Sequence, residues 1–183
     1  MLGPSPGGGL MIVAILASAA VVQGPLDLRS PQSAARAFYQ LYLRTPHDGV
    51  PGPVARGRLR PVVSARLDAL LARADRAEIA HTRRTHNQEP PILEGDVFTS
   101  LFEGAGRFKV EGCQAWPTRA ICSVALSYTS PKDKPARWRD RVVLVHAGGG
   151  WRVDDVVYGG TWAFGNKGRL SESLKSVVSE ARG

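Results

Sequence analysis

Asp155 is the carboxylate whose setting in this 183-residue chain most invites a chemical role. The run Trp151-Arg152-Val153-Asp154-Asp155-Val156-Val157-Tyr158 reads as a strand, and alternation along a strand sends successive side chains to opposite faces. Asp155 therefore falls in a row with Trp151, Val153 and Val157, an otherwise apolar set. A carboxylate in such a row must be paired with a base, hydrogen-bonded, or held neutral with a raised pKa. One reading makes it a general acid or base working with a His or Tyr across an interior hollow. The other makes it a tie from the strand end to an Arg or to loop amides. Burial alone does not choose between them.

The remaining polar and aromatic candidates are weaker. Tyr39, Tyr42, Tyr158, Trp162 and Phe164 have the spacing to line an aromatic mouth of a ligand pocket, and equally the spacing of core residues. His81 and His86 bracket Arg83 and Arg84; a five-residue interval does not stack on one helical face, and two guanidinium groups repel a cation, so no metal site is expected. Asp96 reads as a cap on a short turn carrying Phe98, Leu101 and Phe102, closed by Gly104. Gly159-Gly160 and Gly165 lack the strand-loop-helix context of a phosphate loop, and no cofactor is expected.

These residues need elements to place them. Leu10 to Val22 is an uncharged apolar run, shorter than the roughly 20 residues that cross a bilayer. Residues 1–23 read as a signal peptide with Ala17-Ser18-Ala19 as the cleavage motif and a cut near Ala19, although Met1 to Gly9 lacks the usual Lys or Arg. No stable membrane span is expected after cleavage, and the product would be periplasmic or secreted. Residues 24–29 form a linker and 30–182 a single domain. In an oxidising compartment the even pair Cys113 and Cys122 suggests a structural disulfide. A regular hairpin would aim the two sulfurs at different faces, so a bulge is expected with the bridge, with Gly112 as its obvious place.

Ser30-Pro31 has the form of an N-cap followed by proline at the first helical position, opening a helix over Gln32 to Arg44. Proline and glycine break the pattern from Thr45 to Gly57. Helical spacing then runs through Leu59, Val62, Val63, Leu67, Leu70, Leu71 and Ala74 to about Ala80. The period changes to two over Arg107 to Cys113, Ala120 to Tyr128, Arg139 to His146 and Trp151 to Tyr158, with short turns that imply antiparallel neighbours. Leu170, Leu174, Val177, Val178 and Ala181 mark a last helix. The fold class is α+β: N-terminal helices packed on a curved, four-stranded or larger antiparallel sheet, cone-like, with a C-terminal helix.

Three motifs carry a resemblance: Ile92-Leu93-Glu94-Gly95-Asp96-Val97-Phe98-Thr99-Ser100, Trp138-Arg139-Asp140-Arg141-Val142-Val143-Leu144, and Trp151 to Gly160. They resemble a family of uncharacterised exported bacterial domains that is similar in turn to the nuclear-transport-factor-2-like superfamily of cone-shaped α+β proteins. The resemblance implies the fold and carries over no catalytic residue. The charge of +8, mostly Arg, is that of a solvated basic surface or of a surface for anionic partners such as phospholipid head groups, acidic polymers or an acidic protein; no nucleic-acid-binding module is present. The function expected first is an exported, non-catalytic binding or interaction module of the bacterial cell envelope, recognising a small ligand or an envelope protein. The alternative is a small cofactor-free isomerase, dehydratase or hydrolase using Asp155. A homodimer through the sheet face is a third arrangement to test.

Overall fold

The computed structural model describes residues 25–45, 48–131 and 134–181; the leader, its cleavage motif at Ala19 and the end of the domain at Arg182 lie outside the described residues. Four helices, α1 (Pro31–Tyr42), α2 (Pro53–Leu59), α3 (Ala65–Arg84) and α4 (Leu170–Glu180), pack with one curved antiparallel sheet of β1 (Arg107–Ala115), β2 (Arg119–Tyr128), β3 (Ala136–Ala147) and β4 (Gly150–Val157). The sheet is a simple meander in the order β1-β2-β3-β4. This is the expected α+β class with a C-terminal helix.

Local chemistry explains most boundaries. The Ser30 side chain accepts a hydrogen bond from the Ser33 amide at 3.1 Å and Pro31 occupies the first turn, so α1 starts where its cap dictates. Its buried face, including Ala34, Phe38, Tyr39 and Tyr42, lies against the sheet. Gly148 and Gly149 both adopt positive φ, +57° and +77°, which the two-residue turn between β3 and β4 requires.

The long second helix expected from Leu59 to Ala80 is instead two helices joined by a hydrogen-bonded turn, in which the Val62 and Val63 amides donate to the Leu59 carbonyl at 2.9 and 3.2 Å. Pro61 has no amide to continue the helical ladder and its ring crowds the preceding turn. Val62 and Val63 leave the helix and run beside β4: the Val153 amide donates to the Val62 carbonyl at 2.9 Å, and the Ser64 amide donates to the Val153 carbonyl at 2.7 Å. The Ser64 hydroxyl then accepts from the Leu67 amide at 3.0 Å and starts α3. The break expected from Thr45 to Gly57 is also shorter, because α2 begins at Pro53.

Two bulges set which side chains face the helices. In directly opposed antiparallel pairs the side chains share a face. Val110 opposes Val124 and Gly112 opposes Ser123, so Glu111 is the extra residue, one position before the expected site. That shift turns both Cys113 and Cys122 to the helix side, where they form a disulfide. On that side Phe108, Val110, Cys122, Val124, Leu126, Val142, Leu144, Val153 and Val156 build the core with α1, α3 and α4.

Candidate functional site

The second bulge decides the placement of Asp155. Leu144 opposes Val153, but Val143 opposes Asp155, so Asp154 is the extra residue and the parity of β4 changes there. Asp155 consequently leaves the row of Trp151 and Val153 that simple alternation assigns it, and Val156 takes the inward position opposite Val142. A bulge inserts one residue without altering the hydrophobic pattern enough to be read from it.

Asp155 is buried, and its oxygens are occupied by the start of α4. It accepts from the Ser171 amide at 3.0 Å, the Ser171 hydroxyl at 2.8 Å and the Val156 amide at 3.0 Å. The guanidinium of Arg169 stands 3.6 Å away. Arg169 is the N-cap residue of α4 and supplies no side-chain cap, so Asp155 does that work from a neighbouring strand. A carboxylate at this end of a helix also faces the positive end of its dipole. The bulged Asp154 is engaged as well, accepting from Ser64 Oγ at 2.5 Å and from Arg66 Nε at 2.9 Å.

Asp96 is the cap its sequence suggests. One oxygen accepts from the Phe98 and Thr99 amides at 2.6 and 2.8 Å, and the other accepts from the Tyr42 hydroxyl at 2.5 Å. Tyr42 in turn accepts from the Ala105 amide at 2.8 Å. Gly104, with φ +79°, closes the turn; a Cβ there would come within 2.7 Å of Asp96 and 2.8 Å of the Tyr42 oxygen. Burial and then the Asp96 charge push the Tyr42 hydroxyl well above the ordinary tyrosine range.

A third buried carboxylate, Asp140, went unread in the sequence. It accepts from the Ser100 amide at 2.9 Å, the Trp138 indole N–H at 3.0 Å and the Gly159 amide at 2.8 Å, with a further short hydrogen bond from the Ser100 hydroxyl. The sequence carries the signal: Asp140 alternates with Trp138, Val142 and Leu144 in the same way that simple alternation sets Asp155 among Trp151, Val153 and Val157. Asp140 pins the segment around Ser100 to the turn at Gly159.

The aromatic candidates are separated by these networks. Tyr39, Tyr42 and Tyr158 are buried, and the Tyr158 hydroxyl donates to the Val97 carbonyl at 2.6 Å. The Tyr39 hydroxyl has no hydrogen-bond partner among the described residues, and its ring stacks on Phe108 at 5.4 Å. Desolvation raises the Tyr39 and Tyr158 hydroxyls well above the usual value. Trp162 is half-buried with its ring edge-to-face on Trp138 at 5.3 Å, while Phe164 is exposed. Tyr42 alone of the five reaches the open cleft of about 450 Å³ that Asp96, Thr45, Asp48, Phe102 and Glu103 also line. His81 is buried at the end of α3 with Nε2 3.1 Å from the Pro90 carbonyl, and His86 lies beyond the helix at φ +52°.

The side of the sheet away from the helices has a different character. Arg107, Lys109, Arg119, Arg137, Arg139 and Arg141 are exposed there, and a shallow depression of about 400 Å³ runs between Arg107 and Lys109 on one side and Arg137 and Arg139 on the other.

The chain is 25% identical over 153 residues to the uncharacterised lipoprotein YbjP of Escherichia coli K12, a match that covers 84% of this chain and 80% of the relative. No family model matches the sequence. No solved structure matches it either.

Proposed function

We propose that the chain is an exported, non-catalytic binding module of the bacterial cell envelope, with residues 1–23 serving as a signal peptide cut near Ala19, 24–29 as a linker and 30–182 folding as one domain. The similarity to a lipoprotein supports envelope association, and the Cys113–Cys122 bridge supports an oxidising compartment. The curved sheet backed by helices supports placing the domain in the nuclear-transport-factor-2-like superfamily.

One observation carries the binding reading. Each buried carboxylate that is a candidate acid or base, Asp155, Asp96 or Asp140, already accepts hydrogen bonds from backbone amides and hydroxyls that hold the fold together. A general base needs a lone pair aimed at a substrate proton. Asp155 spends its oxygens on α4.

Thiol trapping in a bacterial host tests export directly. The full chain is expected to carry Cys113 and Cys122 as a disulfide, whereas a chain lacking residues 1–23 is expected to carry both as thiols. Equal oxidation states in the two chains would overturn the assignment to an exported module.

A further inference from the structure

We infer that the outward face of the sheet is an electrostatic docking surface for an anionic phospholipid bilayer; this deepens the binding reading above and depends on it. The face is assigned by register. Arg107 opposes Ser127, which opposes Arg137; Lys109 opposes Ala125, which opposes Arg139; Ser123 opposes Arg141; Arg119 opposes Val145, which opposes Arg152. All of these side chains stand on the side away from the core.

The charge on this side is strongly one-sided. Glu111, at the bulge, is the exposed carboxylate among the strand residues of this face, and it accepts from Arg139 at 2.8 and 3.2 Å. Asp155 is taken by α4. The side chains of Arg107, Arg119, Arg137 and Arg141 make neither an ion pair nor a hydrogen bond with any described residue, while the Glu111 carboxyl is held below its usual range by its hydrogen bond to Arg139 and also by the nearby charge of Lys109. Four unpartnered cations on one surface, with Lys109 and Arg139 outnumbering the single Glu111 between them, repel one another, and an anionic partner relieves that repulsion.

The arrangement selects the kind of anion. Cations on β1 and β3 stand two strand spacings apart, roughly 10 Å, and repeat along a strand at roughly 7 Å. From the Arg137 row to the Arg119 row is roughly 27 Å along the strands. The floor between the cationic walls is small: Ser123, Ala125 and Ser127. Charges spread over two dimensions match a planar array of singly charged phosphodiester head groups, whereas a linear acidic chain laid in the depression would answer one line of them. A second copy of the same face would bring like charges together.

The test is co-sedimentation of the full chain with vesicles of phosphatidylcholine alone and of phosphatidylcholine with phosphatidylglycerol. Binding to the neutral vesicles is the baseline that absorbs any contribution of the apolar N-terminal run. One triple variant, R107Q/R137Q/R141Q, clears the sheet face; another, R58Q/R73Q/R83Q, removes the same charge from exposed positions on α2 and α3. At about fivefold per cation, the phosphatidylglycerol-dependent partition should fall on the order of 100-fold in the first and less than about threefold in the second. It should also vanish in 1 M salt. Equal losses in both triples, or no dependence on phosphatidylglycerol, would overturn the inference. So would displacement of the parent by millimolar inorganic phosphate, or tighter binding to soluble polyglutamate than to vesicles. If the sheet triple does not fold, the single variants Arg137→Gln and Arg141→Gln decide, each expected to lose about fivefold. Failure here leaves the thiol-trapping result unaffected, so the two readings fall separately.

Discussion

Replacing Asp155 by Ala should unfold the protein from the start of α4, because the carboxylate is the cap that this helix lacks in its own sequence. Three donors lose their acceptor: the Ser171 amide, the Ser171 hydroxyl and the Val156 amide. The hydroxyl can rotate elsewhere, but the two amides are fixed by the backbone. A buried donor left without a partner costs about 1–3 kcal/mol, and removal of the negative charge from the helix end adds about 0.3–1 kcal/mol. The sum is about 4 kcal/mol, a large share of the roughly 5–15 kcal/mol that holds an ordinary domain together. At roughly 2–4 °C per kcal/mol for a domain of this size, Tm should fall on the order of 10 °C. Asp155→Asn keeps one acceptor oxygen and should lose about half as much. The assay is thermal and urea unfolding, with hydrogen exchange reporting earlier opening of Leu170–Glu180. An Asp155→Ala variant that melts within about 2 °C of the parent, with α4 still protected, would refute the structural role and return Asp155 to the list of chemically available groups.

Reduction of Cys113–Cys122, which closes a loop of separation 9, should cost about 2.5 kcal/mol and lower Tm by several degrees; an unchanged Tm with both thiols counted as free would contradict this. Gly104→Ala must place a Cβ against Asp96 and Tyr42 at positive φ, whereas at Gly148 the space is open, so the first should cost about 3 kcal/mol and the second about 1 kcal/mol, as ranked by melting. The hydroxyls of Tyr39, Tyr42 and Tyr158 have folded pKa values above the unfolded value near 10. Their contribution to stability is therefore complete below pH 10 and is lost progressively as the pH rises above it. Urea midpoints should fall from pH 10 upward, and Tyr158→Phe should flatten that fall; the same slope in parent and variant would count against it.

Much of the architecture was legible because it follows from short-range rules. The Ser30-Pro31 cap, the apolar face of α1, the strand periods and the glycine turn at 148–149 each act within a few residues. The joint at 60–64 was missed because Leu59, Val62, Val63 and Leu67 satisfy helical spacing even though Pro61 forbids continuity. The bulge near Gly112 could be inferred, since two cysteines had to reach one face; nothing comparable constrained Asp154, and so Asp155 was assigned the wrong neighbours. Capping of α4 by Asp155 joins residues 16 apart through tertiary geometry, and no local pattern announces it. The cationic face was present in the alternation of Arg137, Arg139 and Arg141 with Trp138, Asp140 and Val142, but the direction it faced depended on the register of the neighbouring strands.

Arginine-selective labelling of the full chain, read by mass spectrometry with and without phosphatidylglycerol vesicles, tests the account at its centre. Arg107, Arg119, Arg137 and Arg141 should be shielded by the vesicles, while Arg58, Arg73 and Arg83 on α2 and α3 stay reactive. Shielding of the helix arginines with the sheet arginines left open, or shielding confined to Arg44 beside the Tyr42–Asp96 cleft, would contradict it.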